Sequence, residues 1–268
     1  MRLALHKWTL NETPLADALR IARKTGWEAI ELRRDDFTQA ISLMGSVEAV
    51  MALLKGSGLA VACVGVEFGW IYAEGEERKR LLSVFAEQCA RARALGCSTV
   101  MSPADRGRGE LKQAAASLRE VGDIAAEHGV TLGIEFMIQA EQFNSLDRLR
   151  ELLALADHPR CRLLIDTYHF YRGGGSVRAI EDLKPGELVH IQYSDVPKSV
   201  EPGKVQDRLP PGEGVIPFAE LFAALADHGY AGYLSYEVAN PAVWARDPET
   251  IAREGLEVTR ALLPRSRA

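Results

Sequence analysis

Four short apolar runs in the second half of the chain each end at, or next to, a group that can bind a hard metal ion. They are Leu132-Gly-Ile-Glu135, Leu163-Leu-Ile-Asp166, Val189-His-Ile-Gln192 and Tyr233-Leu-Ser-Tyr-Glu237. Each reads as a buried strand with a polar residue at its C-terminal end. A carboxylate buried there costs on the order of several kcal/mol unless it is paired or metal-bound. One such carboxylate alone is more often a salt-bridged strand end, but four polar strand ends on successive strands, three of them carboxylates, weigh against that reading. In a closed parallel barrel these ends converge on one mouth. Two carboxylates gripping a metal from opposite sides suit proton transfer between adjacent carbons of a sugar-like ketone.

The expected ligands are Glu135, Asp166, Gln192 and Glu237, around one divalent ion (Mn, Mg, Co or Zn). On strand seven, His190 and Gln192 face the same side, being two residues apart. Imidazole is the better ligand for a transition metal, but depth along the strand favours Gln192, level with Asp166 and Glu237. His190 then lies one layer deeper, toward the core or behind the site, and is also a candidate substrate contact. Glu135 and Glu237 are the candidate proton-transfer pair. His169, three residues after Asp166, is a candidate acid, base or substrate-orienting group. Arg208, in Asp207-Arg-Leu-Pro-Pro-Gly-Glu-Gly214, can hold substrate oxygens through its forked donors, unless Asp207 and Arg208 merely staple the loop. Glu31 and Arg33 end strand two and are expected to contact substrate. His6, Trp8, Phe68 and Trp70 are candidates for the pocket wall, with a simple core role equally open.

The elements that must position these residues alternate strictly. Strands are expected at 2–6, 28–32, 59–65, 98–101, 130–136, 162–166, 188–194 and 233–238. Helices are expected at 14–24 (capped by Thr13), 46–55, 76–95, 110–128, 145–156 (capped by Ser145), 177–182, 218–228 and 248–262. Eight such units predict an α/β fold of the closed (β/α)8, or TIM, barrel type as a single domain over 1–268, with its site at the C-terminal strand ends. A doubly wound sheet usually needs a glycine-rich first loop. Here the turn His6-Lys-Trp-Thr-Leu-Asn-Glu-Thr-Pro has no glycine. The stretch 195–217, with five prolines and three glycines, reads as an ordered active-site loop.

Composition narrows the function class. The chain has 268 residues, 47% hydrophobic and 26% charged, as an ordinary globular protein does. A net charge of −5 gives no basis for binding nucleic acid or an anionic membrane. The basic tail at Arg265 and Arg267 is too short to change that. No apolar stretch spans a bilayer, and the first residues do not resemble a signal peptide. Cys63, Cys89, Cys97 and Cys161 show no metal-binding spacing and read as reduced buried thiols, so a cytoplasmic location is expected. The expected partner is a small sugar or polyol ketone; a homo-oligomer is left open.

Together, Ala29-Ile-Glu-Leu-Arg33, Gly133-Ile-Glu-Phe136, Leu163-Leu-Ile-Asp-Thr-Tyr-His-Phe170, Asp207–Gly214 and Ser235-Tyr-Glu-Val238 resemble the xylose isomerase-like barrel family of sugar isomerases, epimerases and related dehydratases. Within it the resemblance is strongest to inosose isomerases, which interconvert keto-inositols. It implies that Glu135 and Glu237 are the family's bridging glutamates, Asp166 its metal aspartate and His169 the histidine that follows. Strand seven departs: an inosose isomerase has a metal histidine where this chain has Gln192. His190-Ile-Gln192 is similar instead to hydroxypyruvate isomerases and 3-dehydroshikimate dehydratases. The resemblance therefore implies a metal-dependent isomerase or epimerase, with those two activities as alternatives. A metal nuclease of the endonuclease IV type needs more histidines than the six present and a basic face. A non-catalytic sugar-binding barrel has no need of the intact carboxylate set.

Overall fold

The computed structural model describes residues 1–199 and 206–264. Part of the 195–217 loop and the tail with Arg265 and Arg267 lie outside the described residues. Eight parallel strands, β1 (Arg2–His6), β2 (Ala29–Leu32), β3 (Ala60–Gly65), β4 (Thr99–Pro103), β5 (Thr131–Glu135), β6 (Cys161–Asp166), β7 (Leu188–Tyr193) and β8 (Tyr233–Tyr236), close in sequence order into one barrel. The expected fold and all eight strands are therefore found. Register shifts at Ile30/Glu31 against β3 and at Leu163/Leu164 against β7 add local bends to the ring.

The helices are α1 (Leu15–Thr25), α2 (Arg34–Met44), α3 (Val47–Gly56), α4 (Gly75–Ala94), α5 (Leu111–Glu127), α6 (Leu146–Ala156), α7 (Thr167–Arg172), α8 (Val177–Glu181), α9 (Phe218–Asp227), α10 (Pro241–Trp244) and α11 (Pro248–Leu262). The strict one-to-one alternation expected from sequence does not hold. Helix α2 precedes α3, α7 precedes α8, and α10 precedes α11. Gly45, at φ +83°, ends α2 in the left-handed region and lets the chain restart at once. Ser46 Oγ accepts from the Ala49 amide and caps α3. Thr13 is not a cap: Pro14 occupies that position, with φ already near the helical value, and no side chain caps α1. Ser145 stands at the cap of α6 but makes no capping bond. Among the described residues no single helix is long and apolar enough to cross a membrane.

The strand period of two divides the barrel wall. Leu3, Leu5, Ile30, Leu32, Ile134, Leu163, Ile165, Ile191 and Leu234 face outward and pack with the helices in one large core. Inside, apolar contact shrinks to Ala4, Ala29 and Ala62 beside Tyr233, and to Cys63, Met101 and Leu164. Toward the mouth the interior carries buried polar residues, among them His6, Glu31, Glu135, Asp166, His190 and Gln192. All four cysteines are buried and unbridged.

Hydroxyls tie the loops at the C-terminal face. Thr9 Oγ1 donates to the Tyr236 carbonyl (2.8 Å) and accepts from the Val238 amide (3.0 Å). Thr167 Oγ1 does the same for Ser194, at 2.7 and 3.0 Å. The strongest tie is Asp195, which is fully buried. Its carboxylate accepts backbone N–H groups from Val196 (2.8 Å), Gly212, Gly214 and Ile216 (each 2.9 Å). Its own backbone pairs both ways with Leu209, forming an antiparallel bridge. A side chain at Gly214 would run into the Val196 carbonyl and the Asp195 carboxylate. Asp195→Ala leaves these amides without their acceptor and should cost about 2–4 kcal/mol. A thermal melt should then fall by roughly 4–12 °C; a change under about 1 °C would show that the clamp carries little of the loop's stability.

Candidate active site

Two strand ends build the site by capping the turn that follows them. Asp166 Oδ1 accepts from the Tyr168 amide at 2.9 Å and starts α7, leaving Oδ2 for the barrel mouth. His169 follows three residues on, so its ring returns to the same side. At β1, His6 Nδ1 accepts from the Trp8 amide at 3.2 Å, which leaves the ring proton on Nε2. Register brings the other groups level: Asp166 pairs with Gln192, Gln192 with Ser235 and Tyr193 with Tyr236, so Glu237 stands just beyond.

The upper cluster consists of Glu135, Asp166, Glu237, His169 and Arg208. One ligand atom each from Glu135, Asp166 and His169 lies within 4.8 Å of the others. His169 Nε2 is 3.8 Å from Glu135 Oε1 and 3.9 Å from Asp166 Oδ2. Arg208 Nη1 contacts Asp166 Oδ2 at 2.5 Å and both Glu237 Oε2 and Ser194 Oγ at 3.3 Å. Burial pushes Glu135 well above the usual carboxylate range, and the charges of Asp166 and Glu237 add to the shift. Burial also raises Glu237, against the pull of Arg208 and His6. His169 is lowered to about 4, chiefly by burial, so its ring is neutral near pH 7. Burial works against the Arg208 charge, but Asp166, Glu237 and Glu135 outweigh it and raise its pKa.

Beneath this cluster lies a second group around Glu31. Its Oε2 meets His190 Nε2 at 2.7 Å, and its Oε1 accepts from Gln192 Nε2 at 2.8 Å. His6 Nε2 faces Glu31 Oε1 at 3.7 Å and Glu237 Oε1 at 3.5 Å, bridging the two groups. Burial alone would raise the Glu31 pKa, but His190 and His6 bring it down to about 2. Both Glu31 oxygens are thus engaged and the residue is 1% exposed.

The structure brings together Glu135, Asp166, Glu237, His169 and Arg208, with Gln192 alongside. Glu31 and His190, expected at the substrate, are paired with each other deeper in the barrel. Arg33 turns away to Asp36, its Nη2 2.9 Å from Oδ1, with its guanidinium 5.1 Å from the Trp8 ring. Trp70 is fully buried against Phe85, its Nε1 donating to Ser102 Oγ; it belongs to the core. Phe68 is exposed at the surface. Asp207 does not pair with Arg208: it hydrogen-bonds Tyr168 Oη and lies 4.0 Å from Arg172. Tyr168 escaped the sequence reading, though its ring lies 4.7 Å from the Arg208 guanidinium and holds it from one side. Asp195 escaped it too, because a single aspartate at the start of a loop looks like any loop residue.

The donors fit a divalent ion. Three carboxylates share a buried space with a single arginine. Gln192 Oε1 and His169 Nδ1 are buried with no partner among the described residues. Carboxylate oxygens, an amide oxygen and an imidazole form a mixed oxygen and nitrogen set suited to borderline and hard divalent metals.

The model of the family described as xylose isomerase-like TIM barrel matches residues 19–262. A 3-dehydroshikimate dehydratase from Pseudomonas aeruginosa is 30% identical over 165 residues, which cover 60% of this chain and 26% of that protein. The match thus spans about a quarter of that relative's length. An inosose isomerase from Bacillus velezensis is 22% identical over 264 residues, 95% of this chain and 94% of the other. Among solved structures, the IOLI protein with a binding zinc atom superposes with a TM-score of 0.89 at 18% identity, covering 98% of each chain, a likeness of fold. By the extent of the family match, and with the closed barrel and its mouth as described, the chain belongs to the xylose isomerase-like TIM barrel family.

Proposed function

We propose that the chain is a divalent-metal-dependent isomerase or epimerase of a ketose or keto-inositol, working by proton transfer beside the carbonyl. One observation carries the reading: Glu135 and Glu237, on β5 and just past β8, share the buried mouth with Asp166 between them in chain order. Asp166, Glu135, Glu237 and Gln192 would hold the ion, and His169 is near enough to Glu135 and Asp166 to join them. When bound, the ion supplies Lewis acidity toward the ketone oxygen and its neighbouring hydroxyl.

The residues of the chain then divide the work. One glutamate removes the proton from the carbon beside the ketone, leaving an enediolate. Return of that proton to the neighbouring carbon gives an isomer, and return to the opposite face gives an epimer. Arg208 donates to substrate oxygens; its Nε is buried without a partner among the described residues and is available for that use. His169, neutral at pH 7, orients a hydroxyl or shuttles its proton. A second reading, dehydration of the 3-dehydroshikimate type, is favoured by the 30% identity to such a dehydratase and by the His190-x-Gln192 pattern. Both start from the same proton removal, and loss of a β-hydroxyl distinguishes the second. Hydroxypyruvate isomerisation uses the same first step.

Metal analysis of purified protein, followed by deuterium wash-in from solvent into keto-inositols, ketoses and 3-dehydroshikimate, tests the reading directly. Exchange at the carbon beside a ketone is expected, and no exchange in any substrate class would refute it. Asp166→Ala should lose most bound metal while the melting curve stays cooperative; unchanged metal content removes Asp166 from the ligand set. Glu135→Gln and Glu237→Gln keep shape but weaken the base, so turnover should drop by ~10²-fold or more. Near-normal turnover in both variants would exclude them as the proton carriers. Arg208→Lys keeps charge but loses the fork, and KM should rise roughly tenfold with a smaller loss in kcat. A fall in kcat alone would assign Arg208 to the charge that develops during reaction.

A further inference from the structure

A side-chain amide can bind a cation only through its oxygen, and rotation about its terminal bond exchanges oxygen for NH2. A glutamine in a metal shell therefore needs something to fix which end it presents. Here Gln192 Nε2 donates to Glu31 Oε1 at 2.8 Å, while Gln192 Oε1 is buried and has no partner among the described residues. Glu31 is an acceptor in its ionised form, so the reversed amide would set oxygen against oxygen in a buried space. Glu31 is itself fixed, because its second oxygen meets His190 Nε2 at 2.7 Å. The chain His190–Glu31–Gln192 thus runs from the deeper layer of the barrel up to the mouth, and no member of it is more than 2% exposed.

We infer that Glu31 is a positioning residue: by holding the Gln192 NH2 group it commits the Gln192 oxygen to the metal beside Asp166. Glu31 would touch neither ion nor substrate, and His190 would act one step further back by fixing Glu31. This inference rests on the metal-dependent reading above. Partners that orient ligands in this way typically change metal affinity by ~10–100-fold when removed.

The test is calorimetric titration of the metal-stripped full chain with Mn2+, alongside melting curves. Glu31→Asp keeps the charge but withdraws the carboxylate by one methylene, and Glu31→Gln removes the charge. Both should weaken Mn2+ binding by ~10-fold or more. In a Gln192→Leu background the same changes should alter affinity by less than about threefold, because the group they orient is gone. Equal losses with and without Gln192 would overturn the inference and leave Glu31 a general charge effect. Wild-type affinity in folded Glu31→Asp would overturn it as well. Should Glu31→Gln fail to fold, Glu31→Asp still decides. Absence of Mn2+ binding in the wild type, or binding unaffected by Asp166→Ala, would instead remove the metal-dependent reading and this inference with it.

Discussion

Carboxylates enclosed at close range lose hydration and repel one another, and the upper barrel is arranged around that cost. Glu31, Glu135, Asp166 and Glu237 are each 5% exposed or less. The structure answers in two ways. The deeper carboxylate, Glu31, is fully partnered by His190 and Gln192, with His6 nearby, and its charge is strongly favoured. The three upper ones share one guanidinium, and Glu135 is left far above the usual carboxylate range. The resulting gradient, from satisfied below to under-neutralised above, concentrates the demand for positive charge at the open end. A polar interior of this kind would be unstable without a dense shell around it. The outward-facing half of each strand supplies that shell, and the large core lies between barrel and helices.

This division also separates the roles of the strands' two faces. Substitutions among Leu3, Ile30, Ile134 or Ile165 act on packing against helices and should be felt as stability. Substitutions among Glu31, His190 or Gln192 act within a hydrogen-bonded column, where the loss of one partner strands the next. Below that column the interior is apolar, with Ala4, Ala29 and Ala62 packed against Tyr233.

The strands and their polar ends were legible because alternation is a local signal, and a carboxylate or amide after three apolar residues stands out against it. Strand period and depth alone place Gln192 level with Asp166, and the register agrees. Helix α2 was missed because Arg34-Asp-Asp opens it without a clear break from strand two, and the left-handed Gly45 and the cap Ser46 join it to α3 in two residues. Helices α7 and α10 are too short to show a period. The partners of Glu31, Arg33 and Asp207 were not legible: which neighbour a charged group takes depends on non-local approach, as with the 159 residues separating Glu31 from His190. Asp195 is the plainest case, since its four backbone partners come from its own neighbour and a segment some twenty residues on.

That clamp has an evolutionary consequence. Arg208 leaves a backbone pinned on one side by the Asp195–Leu209 bridge and on the other by Asn240, whose Nδ2 donates to the Arg208 carbonyl at 2.9 Å. The chain leaves at Asp195 and returns at Leu209, two points already bonded to each other. Changes of length between Asp195 and Asp207 do not need to displace the guanidinium. The length and sequence of that loop can therefore vary while the arginine stays in contact with Asp166, because what holds Arg208 lies at the base of the loop.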